Sequence, residues 1–319
     1  MGPCDDICTG GVQHHIHEPA VAETTRIVAA SGGKPNIFKE LGHVFRDYWE
    51  YRELLSAVTY RDVRIRYKQA VMGFGWAIFM PILIVLSGVI IRYVMARFSG
   101  ETLDGPIIAG ITSKAVPWAF FVGAVGFGSV SLINNMELVT KIYFPREILP
   151  LSSCLAQAFD SSMGGVALLL ALPFLGVKLS LAWLWIPLLA LMIFLFTAGA
   201  CIFLAAANLF FRDVKYIVNV LLTFGIFFTP VFIEPAMLGP MGAELIMLNP
   251  LSPMLEGLRL AVVEGHNLLT PLTVSTNTGA DLVVWSPWYL GYALAWSTFA
   301  FLGASVVFNR LEFLFAEYV

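Results

Sequence analysis

From Met163 to Phe211 the chain is apolar almost without interruption. A bilayer crossing takes roughly 20 consecutive apolar residues, so this run is long enough for two crossings and too long for one core helix of a soluble domain. Its only polar punctuation is Gly176, Lys178 and Ser180, which places the expected break at Pro173–Ser180. The same length rule gives six spans in all, near 72–95, 108–132, 149–173, 182–207, 215–238 and 288–309. Pro81, Pro187 and Pro230 fall inside these spans, where neighbouring helices can satisfy the freed backbone groups. With 58% hydrophobic and 13% charged residues, the chain has too little polar surface for a soluble enzyme. A net charge of −3 also speaks against a nucleic-acid partner. The fold class is therefore an all-α membrane protein with six transmembrane helices.

Lysine and arginine set the orientation. With six spans, both termini share a side with the second–third and fourth–fifth loops. That side collects 14 of the 19 Lys and Arg residues; the other holds Arg92, Arg97, Lys114, Lys178 and Arg259. The imbalance places both termini in the cytoplasm. No apolar leader run precedes the first span, so insertion is expected to begin there.

Residues 1–45 read as a flexible cytoplasmic tail. Residues 46–71 form an amphipathic interface helix: Tyr51, Leu55, Val58 and Ile65 recur at helical spacing, and Arg61, Arg64 and Lys68 line another face. The plain alternative for these cations is topology anchoring. Residues 72–309 make the six-helix domain, with an outer loop at 239–287, and residues 310–319 a cytoplasmic C-terminal tail. In the outer loop a short helix dips into the outer leaflet before the last span, with Ser252 as its cap, Pro253 at its first position and Gly265 as its stop. Thr270–Asp281 reads as an exposed loop.

The two cytoplasmic loops, Asn134–Pro150 and Asn208–Ile217, mix charges with exposed aromatics: Tyr143 and Phe144 in the first, Phe210, Phe211 and Tyr216 in the second. Arg and aromatics on a water-facing loop suit a protein contact, although interfacial belts also use aromatics. Cys4, Cys8, His14, His15 and His17 match no tight zinc spacing, and Cys154 and Cys201 lie in apolar runs. Gly32-Gly33-Lys34 lacks the remainder of a phosphate-binding loop. No metal site and no catalytic residue is assigned. Asp160 is the one acid well inside a span; Gln157, Ser161 and Ser162 are expected to satisfy it in a packing role.

Four stretches occur in order: RDVRIRYKQAVMGFGWAIFMP (Arg61–Pro81), KIYFPREILPLS (Lys141–Ser152), FFRDVKYIV (Phe210–Val218) and LNPLSPMLEGLR (Leu248–Arg259). With the closing FNRLEFLFAEYV, the chain from Phe38 to Val319 resembles the permease subunit of ABC-2 type polysaccharide exporters, the group moving O-antigen, capsule and teichoic acid. The His-containing N-terminal extension and the long outer loop depart from that pattern.

The resemblance implies a homodimer in the bacterial inner membrane, working with two copies of a separate P-loop ATPase that holds ATP and Mg. No cofactor is expected on this chain. The cargo implied is a lipid-linked, polyprenyl-pyrophosphate polysaccharide. Lys141, Tyr143, Phe144, Arg146 and Glu147, with Arg212, Asp213 and Lys215, would be the ATPase-coupling residues. Arg61, Arg64, Arg66 and Lys68 would border the substrate entrance and attract the pyrophosphate. Phe74, Trp76, Trp118, Phe120 and Phe121 are channel-lining candidates, since sugar rings stack on aromatics. The rival readings are an ABC-2 exporter of a small lipid or drug, and a polyprenyl-linked glycosyl- or acyltransferase.

Overall fold

Backbone groups in hydrocarbon must be satisfied within their own segment, and the apolar runs accordingly form long helices. The computed structural model describes residue 42 and residues 46–68, 75–100, 104–141, 144–275 and 281–312, all within the unit Leu41–Val319. Residues 46–50 are helical and lead to α1 (Arg52–Tyr67). Then follow α2 (Gly75–Ser99), α3 (Gly105–Ser129), the short α4 (Ser131–Asn134) and α5 (Met136–Lys141), α6 (Ile148–Ala171) and α7 (Ile186–Phe210). After them come α8 (Val214–Gly225), α9 (Gly239–Met247), α10 (Leu251–Arg259) and α11 (Pro287–Glu312).

Five segments are long and apolar enough to cross a membrane: Ile78–Phe98, Gly105–Ser129, Ile148–Leu175, Leu181–Phe210 and Pro287–Glu312. The break between the third and fourth falls where expected. A 3₁₀ turn at Leu172–Leu175 ends on Gly176, whose φ of +80° favours glycine, and the Ser180 hydroxyl caps the next turn by accepting from the Ala182 N–H.

The fifth expected span differs. Its apolar helix covers only Val214–Phe228, about 22 Å at 1.5 Å per residue against roughly 30 Å of hydrocarbon. Thr229 is extended, with φ −128° and ψ 148°, because the Pro230 ring disfavours a helical residue before it. Pro230 thus terminates the segment instead of lying within it. Pro187 sits in the first turn of α7, where its missing N–H is harmless.

The core lies between α3, α6, α7 and α11, where small residues let backbones approach. A Cβ on Gly199 of α7 would lie 2.5 Å from the Ala300 carbonyl of α11, and one on Gly128 of α3 would lie 2.7 Å from Cys201 Sγ. α2 shows the reverse pattern, with Ile82, Leu86, Ile90 and Val94 exposed as a lipid-facing helix requires.

The segment 239–287, expected as the outer loop, carries two corrections. α10 starts at Leu251, directly after Pro250, and the Asn249 Oδ1 ahead of it accepts from the Leu251 N–H at 3.1 Å. Asn249 followed by Pro250 is the stronger start signal, and Ser252 is buried one residue inside the helix. The helix widens into a π turn at Leu260–Glu264 and stops at Gly265, φ +64°, as expected. The expected loop at Thr270–Asp281 contains strand β1 (Leu272–Ser275), which pairs antiparallel with β2 (Asp281–Trp285), Thr273 opposite Val283. The β-branched Thr273, Val283 and Val284 suit strands, and the buried Trp285 anchors the hairpin by donating Nε1–H to the Leu268 carbonyl at 2.9 Å. The all-α expectation lacked this ribbon.

Candidate functional site

A buried asparagine ties the second of the two expected cytoplasmic loops to the end of α3. Asn208, near the end of α7, donates to the Ser129 carbonyl at the end of α3 (2.9 Å) and accepts from the Lys215 N–H (3.2 Å). Beyond it Phe211, Arg212, Asp213, Lys215 and Tyr216 are exposed, with the Lys215 ammonium 4.9 Å from the Tyr216 ring centroid. This small cationic, aromatic surface stands on a fixed base.

The first loop divides differently. Lys141 is exposed beside Glu137. Phe144 and Glu147, expected as contact residues, are instead buried at 6% and 3% exposure. The Glu147 carboxylate accepts a hydrogen bond from the Tyr48 hydroxyl, which also lies 3.3 Å from Ser305 Oγ of α11. Arg146 Nε stands 3.9 Å from Glu312 at the end of α11. The loop is thereby fastened to both the N-terminal helical stretch and the last helix. Burial pushes the Glu147 carboxyl up to about 8, and burial together with the neighbouring carboxylate raises the Tyr48 phenol. Tyr143 lies outside the described residues, as do Phe74, residues 69–71, 313–319 and the Cys4–His17 and Gly32–Lys34 segments.

α1 does not lie apart from the bundle. It runs beside α6: Ser152 Oγ donates to Asp62 at 3.4 Å, and Arg66 donates to Gln157 Oε1 at 2.8 Å and to Asp160 Oδ2 at 2.7 Å. The Tyr67 hydroxyl donates to Asp160 Oδ1, and the Arg66 guanidinium sits 4.1 Å from the Phe127 ring centroid. This corrects the expectation that Asp160 is satisfied on its own helix: Ser162 donates to the Phe159 carbonyl instead. The basic partner comes from α1, which sequence separation concealed. Arg61 binds Asp62 at 2.9 Å and Asn135 at 2.7 Å, leaving Arg64 and Lys68 as the exposed cations of the set. Burial and the Asp160 carboxylate raise the Tyr67 phenol.

Of the aromatic candidates, Trp76 is exposed and makes an edge contact with Phe79. Trp118 and Phe120 are core residues at 3% and 7% exposure, which removes them from any channel wall within this arrangement. Phe120 stacks on Phe194 and the half-buried Phe121 on Phe196.

A second polar cluster, absent from the sequence reading, lies between α3 and α10. Glu256, fully buried, receives Arg259 at 2.6 Å and Lys114 at 3.5 Å, and Arg259 also reaches Glu264 at 2.7 Å. Glu256 and Arg259 one turn apart were the available signal. Among the described residues no three His, Cys, Asp or Glu side chains are grouped to hold a metal.

The sequence pattern of the ABC-2 type transporter family matches residues 53–263, from α1 through the π turn. An O-antigen export system permease protein RfbA of Klebsiella pneumoniae is 27% identical over 279 residues, covering 87% of this chain and 96% of the relative. A protein of the same name from Myxococcus xanthus is 30% identical over 219 residues, 66% of this chain and 79% of the relative.

Proposed function

Because the chain belongs to the ABC-2 type transporter family, we propose that it is the membrane permease subunit of an ATP-driven exporter of a lipid-linked polysaccharide, carried on polyprenyl pyrophosphate across the bacterial inner membrane. The observation that carries this reading is the likeness to O-antigen export permeases over 96% of a relative's length, combined with helices long and apolar enough to span. Both termini are cytoplasmic in this reading, and Val214–Phe228 completes a sixth, shortened crossing.

Two copies of the chain form the path, since six packed helices fill their own centre and cyclic dimers are the commonest closed assembly. ATP is hydrolysed on two copies of a separate ATPase, with Mg, and this chain contributes no catalytic group. The ATPase docks on the exposed side chains Lys141, Arg212, Asp213 and Lys215, with Phe211 and Tyr216 as its aromatic anchors. Motion received there passes through Asn208 to α3, through Glu147 to the helical stretch 46–50, and through Arg146 to α11. Nucleotide moves this system only by binding one state better than the other. Arg64 and Lys68, exposed on α1, attract the anionic cargo at the cytoplasmic mouth, and Arg61 borders it.

The test is charge reversal of Arg212 and Lys215 to Glu in the full chain expressed with its ATPase. The expected result is normal insertion with loss of ATPase association and export. Unchanged association and export would remove the docking assignment.

A further inference from the structure

A buried carboxyl is tolerable when it is paired with a cation or when it carries no charge. Glu147, at the entry to α6, meets the second condition. Its Oε2 accepts from the Tyr48 hydroxyl, while its Oε1 is buried with no hydrogen-bond partner among the described residues. No cation among the described residues is paired with it; the neighbouring Arg146 stands 3.9 Å from Glu312 instead. The other charged groups that face it are carboxyls, Glu312 from α11 and Asp47 from the helical stretch 46–50. An oxygen left without a partner costs a neutral carboxyl far less than it costs an anion. The geometry therefore keeps a proton on Glu147, and burial accordingly lifts its carboxyl to about 8.

The contact joins three elements that are distant in the chain. Tyr48 belongs to the stretch 46–50; its hydroxyl lies 3.3 Å from Ser305 Oγ of α11, and its ring centroid 6.3 Å from that of Phe301 on the same helix. Glu147 adds the loop before α6. Burial and the facing carboxyl raise the Tyr48 phenol, so Glu147 is the member of the pair that changes state. Once ionised it is a third carboxylate beside Asp47 and Glu312, with one oxygen unsatisfied, and water serves it better than this site does. Each pH unit between the ordinary 4.5 and about 8 then weakens the closed arrangement about tenfold against one in which the carboxyl is hydrated. Above that range the balance changes no further.

We propose that Tyr48, Glu147 and Ser305 form a proton-dependent latch, closed while the Glu147 carboxyl is neutral and released when it ionises. Closed, it fastens the loop before α6 to the stretch 46–50 and to α11. Released, it lets that loop and the exposed Lys141 ahead of it move apart from the stretch 46–50. A rise in pH on the side that this loop faces is the signal that opens it. The latch itself depends only on contacts within the chain. Its effect on coupling rests on the exporter reading above: a closed latch passes motion from a docked ATPase into the bundle, and an open one does not.

The experiment places nitroxide labels at Trp49→Cys and Thr140→Cys, both exposed, in a Cys4→Ser/Cys8→Ser background of the full chain in nanodiscs. Electron–electron distance distributions then give the ratio of closed to released molecules from about pH 5 to about pH 9.5. The ratio is expected to fall about tenfold per pH unit up to about 8 and to level off above. Glu147→Gln keeps an acceptor for Tyr48 but cannot ionise, and is expected to stay closed throughout. Should it fail to fold, Tyr48→Phe removes the donor and is expected to move release about one pH unit lower, a tenfold loss of the closed form. A wild-type distance that ignores pH overturns the latch, as does a Glu147→Gln profile that follows wild type or an unmoved Tyr48→Phe profile. This readout needs no ATPase, so failure of the exporter reading leaves it decisive. With the ATPase bound, ATP hydrolysis relative to the ATPase alone is expected to lose its dependence on the chain as the wild-type latch opens, and to keep it in Glu147→Gln. Release without that loss would uphold the latch and remove its role in coupling.

Discussion

Replacing Glu256 by Gln probes the buried cluster between α3 and α10. Glu256 and Lys114 have side-chain exposures of 0% and 1%, and Arg259 of 8%. The carboxylate answers two cations at once, Arg259 at 2.6 Å and Lys114 at 3.5 Å. Removing one partner of a buried ion pair costs about 3–5 kcal/mol, because the charge left behind is desolvated and uncompensated. That corresponds to a loss of about two to three and a half decades in the folding equilibrium. Arg259 keeps Glu264 as a second partner at 2.7 Å, so the uncompensated charge is chiefly Lys114. Lys114→Met added to Glu256→Gln should therefore recover much of the loss, giving a strongly non-additive double-mutant cycle. The assay is equilibrium unfolding of the purified chain in mixed micelles, followed by circular dichroism. Additive losses would refute the argument that Lys114 and Glu256 compensate one another, as would a Glu256→Gln protein as stable as wild type.

Other predictions follow from other contacts. Glu147 has a folded-state pKa near 8 against an ordinary carboxylate value of 4.5, so the folded chain holds a proton that the unfolded chain releases in between. Its contribution is full below about pH 4.5 and declines as pH rises towards 8; Glu147→Gln should flatten that part of the stability profile, and an unchanged slope would contradict the burial argument. Arg146→Glu sets like charges together near Glu312, 3.9 Å away in the wild type, and should lower thermal stability, with Glu312→Arg restoring it; a swap that rescues nothing would show that the pair is not coupled. Gly199→Val places side-chain atoms inside the 2.5 Å approach to Ala300, and overpacking of this kind costs about 1–3 kcal/mol. Size-exclusion profiles after mild heating would expose the loss; a wild-type profile would mean that α7 and α11 separate freely.

Long apolar runs were legible because lipid permits so few ways of satisfying a backbone. The break at Gly176 and the stop at Gly265 were legible too, each being a position where positive φ favours glycine. What escaped was set by contacts distant in sequence. Nothing local to Asp160 announces Arg66, 94 positions away, and the burial of Glu147 depends on Tyr48, 99 positions away. Trp118 and Phe120 were named as channel aromatics because an aromatic side chain in a span reads the same whether it faces core or lumen; only packing decides, Phe120 against Phe194 of α7 and Trp118 against Gly225 of α8. Pro230 was misplaced by reading hydropathy before the backbone restriction on Thr229.

The most direct measurement of the central claim is native purification of the tagged full chain in mild detergent, with mass spectrometry of the protein chains and lipids that accompany it. The account predicts a P-loop ATPase at equal stoichiometry, two copies of each chain, and a polyprenyl-pyrophosphate glycan. Recovery of the chain without any ATPase under several extraction conditions would contradict it.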